Sequence, residues 1–183
     1  MTADGAAITV IRVAEAEISA DLHRQLQSLL QLSFAGYPNR SYFKLPPHFR
    51  YLTMTKDGRL AAQMGVELRV IRVGDTVVRT FGIVDLCVRP AARSQGLAGR
   101  LLAEVTGFAR SCDMAFIVLF ADDDRLYTQH GWKRVANHCT WVRINEHVTL
   151  GIARQEDTGA MMVKAIADNL WPAGHVDLLG HLF

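Results

Sequence analysis

Val88-Arg89-Pro90-Ala91-Ala92-Arg93-Ser94-Gln95-Gly96-Leu97-Ala98-Gly99-Arg100 is the stretch on which the fold turns. Pro90 has no N–H to give a strand ladder, so the apolar run before it, residues 77–88, ends there as a strand. After it, Leu97, Leu101, Val105 and Phe108 recur at helical spacing and predict an amphipathic helix over 94–111. Residues 115–120 are short and wholly apolar, the pattern of a strand buried on both faces. A strand–helix–strand order makes the two strands parallel neighbours.

Working outward toward the N-terminus, residues 8–13 read as a first strand. Ser19 is placed to cap a helix whose Leu22, Leu26, Leu29 and Leu30 share a face. Gly36 to Asn39 end that helix, and 37–48 is an aromatic, proline-bearing loop with room for one helical turn. Residues 49–55, 60–73 and 77–88 read as strands joined by turns at Asp57-Gly58 and Gly74-Asp75, with an interruption expected near Gly82. Toward the C-terminus, 123–130 predicts a short helix closed by Gly131. Residues 139–144 and 160–165 are weaker strands. The fold class is therefore α/β, with a mixed, mostly antiparallel sheet and one parallel strand–helix–strand crossover. A single domain over 1–183 is expected, with its core over about 8–165 and a C-terminal extension over 166–183.

Composition narrows the function classes. Half of the 183 residues are hydrophobic and 21% are charged, as in globular chains. Twenty Lys and Arg against 18 Asp and Glu give no basic excess for a dedicated nucleic-acid binder. Cys87, Cys112 and Cys139 are odd in number and widely spaced, which predicts free thiols rather than disulfides or a zinc site. Met1 to Ala7 lack a signal-peptide pattern, and no apolar run reaches membrane-spanning length. A cytoplasmic protein without a membrane partner is the expectation.

The turn before the predicted helix is built for an anion. A helix N-terminus presents unpaired N–H groups and partial positive charge. Small residues at 96, 98 and 99 let an anion approach the backbone, and Arg93 and Arg100 add charge. A phosphate loop of nucleotide hydrolases is excluded, because no Gly-Lys-Ser/Thr follows. The dinucleotide fingerprint is excluded by the Gly96-x-x-Gly99 spacing and by the preceding antiparallel meander.

Val88-x-Pro-x-x-Arg-x-x-Gly-x-Ala resembles the coenzyme A-binding motif of the GNAT acetyltransferase superfamily, with Arg93, Gly96 and Ala98 at its defining positions. Arg125-Leu126-Tyr127-Thr128-Gln129-His130-Gly131-Trp132 resembles that family's second motif, at the matching separation. Trp171-Pro172-Ala173-Gly174 is similar to strings of aminoglycoside 2′-N-acetyltransferases and nodulation-type acyltransferases. The resemblance implies a GNAT-like fold and an acetyl-CoA-dependent N-acetyltransferase acting on a primary amine of a small molecule by direct attack on the thioester.

It also implies residue roles. The backbone of Leu86, Cys87 and Val88 would bind the pantetheine arm. Ser94, Gln95, Gly96, Leu97, Ala98 and Gly99 would hold the pyrophosphate, with Arg93 at the lip. Tyr127 matches the family tyrosine proposed as general acid toward the leaving thiolate. An ammonium acceptor also needs a base, for which Asp85 and Glu67 are the strand acids available. Strict alternation turns Asp85 away from Leu86 and Val88. Asp122, Asp123 and Asp124 stand where the family often has Asn, and they suit a helix N-terminus. Tyr37, Tyr42, Phe43 and Pro46-Pro47 resemble a lid, and the tail over 171–183 is a candidate border of the acceptor pocket. A non-catalytic acyl-CoA-binding or interaction domain, a longer-chain acyltransferase and an acetyltransferase of protein amines are the alternatives. The edges of the final strands admit a homodimer.

Overall fold

In a computed structural model, which describes residues 9–155 and 160–183, the chain gathers into two compact units. The first comprises residues up to Val66 together with Asp85–Glu104, and the second Glu67–Val84 with Val105–Phe183. Ile8, Met1 to Ala7 and residues 156–159 lie outside the described residues.

In the first unit, β1 (Thr9–Ala14) pairs antiparallel with β2 (Phe49–Met54), and β2 with the first half of β3 (Leu60–Val73). Helix α1 (Ala20–Ser33) begins as expected, with the Ser19 hydroxyl accepting from the Leu22 N–H at 3.2 Å. Its Leu26, Leu29 and Leu30 are fully buried and pack with Ile18, Tyr37, Leu52, Leu60 and Cys87 into one core. Each such leucine contributes about 1.5–3 kcal/mol by leaving water. Residues 37–48 form no helix, as a loop should.

In the second unit the strand order is β6-β9-β5-β4-β3-β10-β7-β8. Here β4 is Thr76–Val88, β5 Phe116–Phe120, β6 Lys133–Arg134, β7 Cys139–Asn145, β8 Val148–Gln155, β9 Met161–Ala165 and β10 Val176–His181. The parallel crossover is present: β4 pairs with β5 in the register Thr80↔Phe116 to Gly82↔Val118. A second parallel pair joins β10 to β7. Residues 166–183 are thus no appendage, since β10 lies between β3 and β7 and buries Val176 and Leu178 in the unit's core. The hairpin β7–β8 was not expected as a whole, because Val148, Leu150 and Ile152 are exposed and Gly151 interrupts the run. No helix among the described residues is long and apolar enough to cross a membrane.

Three boundaries move for physical reasons. Helix α2 is Leu97–Ser111, three residues shorter than expected. Ser94 and Gly96 have φ of 61° and 73°, which no right-handed helix accommodates. Residues Pro90–Ala92 form a single 3₁₀ turn, with Pro at its start. The irregularity expected at Gly82 falls instead at Asp85, whose φ is 54°.

Candidate active site

The first unit carries the strand end, the turn and the start of α2 as one continuous segment. Beyond Asp85, Cys87 points into the core, and its thiol is pushed up to about 11 by burial, with the Asp85 charge adding to the rise. Leu86 and Val88 are half-buried. The Arg89 N–H donates to the Ala61 carbonyl at 2.8 Å, which fixes the end of the strand on β3. Left-handed backbone at Asp85 breaks the strict alternation on which its predicted orientation rested. Asp is among the few side chains that tolerate this region.

The turn that follows alternates left-handed and ordinary backbone at Ser94, Gln95 and Gly96, the conformation in which successive N–H groups converge on an anion. Gly96 accepts from the Arg100 N–H at 3.0 Å and so caps α2. Leu97, Ala98 and Gly99 then hold the first-turn N–H groups, which have no carbonyl four residues back. Leu97 is buried, which anchors the helix start, while Arg93, Ser94, Gln95 and Gly96 are exposed. A Cβ built on Gly96 would meet nothing within 4 Å, so the space above the turn is open. The Arg93 Nε lies 3.4 Å from the Val88 carbonyl, folding its guanidinium back over the strand end. These residues fit a pyrophosphate on backbone N–H groups.

Asp85 is bracketed by contacts that the sequence did not announce. The Tyr37 hydroxyl donates to Asp85 Oδ2 at 2.5 Å. Burial, then the Asp85 charge, raises the Tyr37 phenol well above its ordinary pKa, so it stays a donor. Tyr37 stacks on Phe34 and packs against Phe43 at ring-centroid distances of 5.8 and 5.6 Å. The Gln63 side-chain amide donates to the Asp85 carbonyl, and Gln63 Oε1 accepts from Arg50 at 2.9 Å. Arg50 is wholly buried; it also holds Glu15 at 2.7 and 3.1 Å and the Ser41 carbonyl at 2.7 Å. A signal for Arg50 exists in the sequence: in FRYLTM it shares a face with Leu52, an arginine on an apolar side.

Glu67 and Tyr127 belong to the second unit. Glu67 is 3% exposed and accepts from Arg69 at 2.8 Å and from His181 at 3.1 Å. Burial alone would raise its pKa; the His181 hydrogen bond and the Arg69 charge outweigh that and hold it below the ordinary carboxylate value. With the proton on His181 Nε2, Nδ1 accepts from Arg69 at 2.8 Å. Arg69 also donates to the His181 carbonyl and lies over the Phe183 ring at 4.5 Å. That ring fills the space above Gly82, where a Cβ would overlap it at 2.0 Å. Tyr127 sits half-buried in α3 (Arg125–Gln129), edge-on to Trp132 at 5.9 Å. Burial, then the Asp123 charge, raises its phenol, keeping it protonated. Gly131 closes α3 at φ 78°, and Asp123, one residue before its N-cap, accepts from the Arg125 N–H at 3.1 Å.

A protein-family model described as an acetyltransferase (GNAT) domain matches residues 16–135, well over half of the chain. The chain belongs to the GNAT acetyltransferase family. N-alpha-acetyltransferase RimI of Mycobacterium tuberculosis is 27% identical over 155 residues, covering 79% of this chain and 90% of the relative. Among solved structures, the GNAT family N-acetyltransferase YhbS from Escherichia coli, in complex with CoA, has a TM-score of 0.64 at 18% identity, covering 93% of this chain and 89% of its own. A GNAT family acetyltransferase from Brucella melitensis, in complex with acetyl-CoA, has a TM-score of 0.58 at 14% identity, with 92% and 94% covered. At such identities these structures show the shared fold. As a GNAT enzyme the protein is an N-acetyltransferase, with acetyl-CoA as co-substrate and an amine as acceptor.

Proposed function

We propose that the chain acts as one acyltransferase domain that acetylates a primary amine of a small molecule, the amine attacking the thioester directly. The observation that carries this reading is the continuous segment in which the Asp85 carboxylate leads into the strand end 86–88 and then into the left-handed turn before α2. The strand-end backbone would take the pantetheine arm. The N–H groups of 94–99 would take the pyrophosphate, with Arg93 beside them. An ammonium acceptor gives its first proton to Asp85, the new N–C bond forms as the C–S bond breaks, Tyr127 protonates the departing thiolate, and the second proton shed by the amide nitrogen passes through solvent to restore the phenol. The role of Tyr127 rests on its motif. Asp85 is preferred to Glu67 as base because it lies on the strand-end segment itself, whereas Glu67 is held by Arg69 and His181.

Tyr37, packed between Phe34 and Phe43 and bonded to Asp85, favours a small acceptor in an enclosed pocket. The likeness to RimI favours a second reading, in which the amine is the N-terminus of a protein. Calorimetry of acetyl-CoA with Gly96→Asp and Gly96→Asn tests the cofactor cradle. Asn and Asp both accept left-handed backbone, so the pair isolates the added charge. Binding at least tenfold weaker in Gly96→Asp than in Gly96→Asn is expected; equal binding would remove the anion from this turn. Assays with small primary amines and with peptides bearing a free N-terminus then separate the two acceptors.

A further inference from the structure

We propose that Arg50 and Gln63 are positioning residues that hold Asp85 in its left-handed conformation and in contact with Tyr37. This deepens the function proposed above and rests on Asp85 being the base.

The geometry has a direction to it. Arg50 is a donor only, so the Gln63 amide must turn its oxygen toward the guanidinium. That leaves the amide NH₂ facing the Asp85 carbonyl, which it bonds. The same guanidinium donates to the Ser41 carbonyl in the segment carrying Tyr37. One buried cation, neutralised by Glu15, thereby fixes both the backbone that presents Asp85 and the loop that delivers its phenol partner. An arginine is an expensive way to fill a position beside Leu52, because a buried ion pair is often no more stable than apolar side chains of equal volume. What it supplies here is orientation. The Asp85 charge reaches Tyr37 from the loop and Cys87 on its own strand, and the Arg50 charge from β2 acts on the same two groups.

The test follows the Asp85 carboxyl carbon by NMR in the full chain, assigned with Asp85→Asn, through a pH titration of parent, Gln63→Met and Gln63→Glu. A phenol donating to a carboxylate favours the charged form, so loosening that contact raises the Asp85 pKa. An upward shift of about half a unit or more in Gln63→Met is expected. Gln63→Glu keeps an acceptor for Arg50 and guards against a variant that merely fails to fold; because its own charge raises the Asp85 pKa, it is read instead by the Tyr37 hydroxyl proton resonance, whose persistence unchanged also overturns the proposal. An unmoved midpoint in the folded Gln63→Met protein overturns the proposal. Thiol release from acetyl-CoA with tyramine and with an alanine-terminated peptide supplies the kinetic arm. There, Gln63→Met should cost about tenfold in kcat in the parent and nothing further in the Asp85→Asn background, with KM for acetyl-CoA within about twofold. An equal loss in both backgrounds sinks this inference alone. Full activity of Asp85→Asn sinks the base assignment, and this inference with it.

Discussion

Asp85 and Glu67 are both acids within strands, and the sequence ranks them as alternatives for one role. Their surroundings set them apart. Glu67 is enclosed by Arg69 and His181, with the Phe183 ring stacked on the arginine. Its charge is matched on site, and its pKa is lowered, which makes it a poorer base. Asp85 meets a neutral phenol whose proton is firmly held, on backbone bent out of the regular ladder. A carboxylate held by an arginine and a histidine is fixed as structure, which is why the acid on the strand-end segment is the proposed base. The Glu67 cluster joins β3 to His181 at the end of β10, where the pairing with β7 shifts register between Asp177 and His181.

The comparison breaks most sharply on Asp85→Asn, expected to lower amine acetylation by about 10²- to 10⁴-fold while acetyl-CoA binding persists. Steady-state kinetics beside calorimetry checks it, and an undiminished rate would hand the role to Glu67. Glu67→Gln should act on stability instead, leaving the largely buried Arg69 without its anion at about 3 kcal/mol, measured by urea unfolding. The pH signature follows from the lowered pKa. Glu67 stabilises the fold fully above its ordinary pKa, and that contribution is lost as pH falls through the lower folded value. The parent should therefore lose stability in acid through a component that Glu67→Gln lacks. Tyr37→Phe removes the donor from Asp85, so the acid limb of the rate profile should move to higher pH with a rate change under about tenfold. Ser19→Ala, remote in function, should cost about 1 kcal/mol and leave the rate per folded molecule unchanged, which calibrates stability against catalysis.

Much of this was legible in the sequence because it is local. Pro90 stops a strand, Ser19 caps a helix, and Leu26, Leu29 and Leu30 face the core because helical geometry puts them there. Gly96 supplies one of the two left-handed positions of the 93–96 turn, so the turn proposed to hold an anion is partly visible in the string itself. The bend at Asp85 did not show, since an aspartate within Ile83-Val84-Asp85-Leu86 reads as ordinary alternation. Nor did β8, whose exposed apolar side chains are held to β7 by backbone pairing rather than by a buried face.

What the sequence alone determined is the parallel crossover, the place of the turn before α2 and the membership of an acetyl-CoA-using family, because spacing and backbone-restricted residues encode them within a few positions. What only the tertiary structure decided is which acid has which neighbours. Tyr37 lies 48 residues from Asp85, and His181 lies 114 from Glu67. A carboxylate's proton affinity depends on charges and donors within a few ångströms, and chain folding alone brings those together.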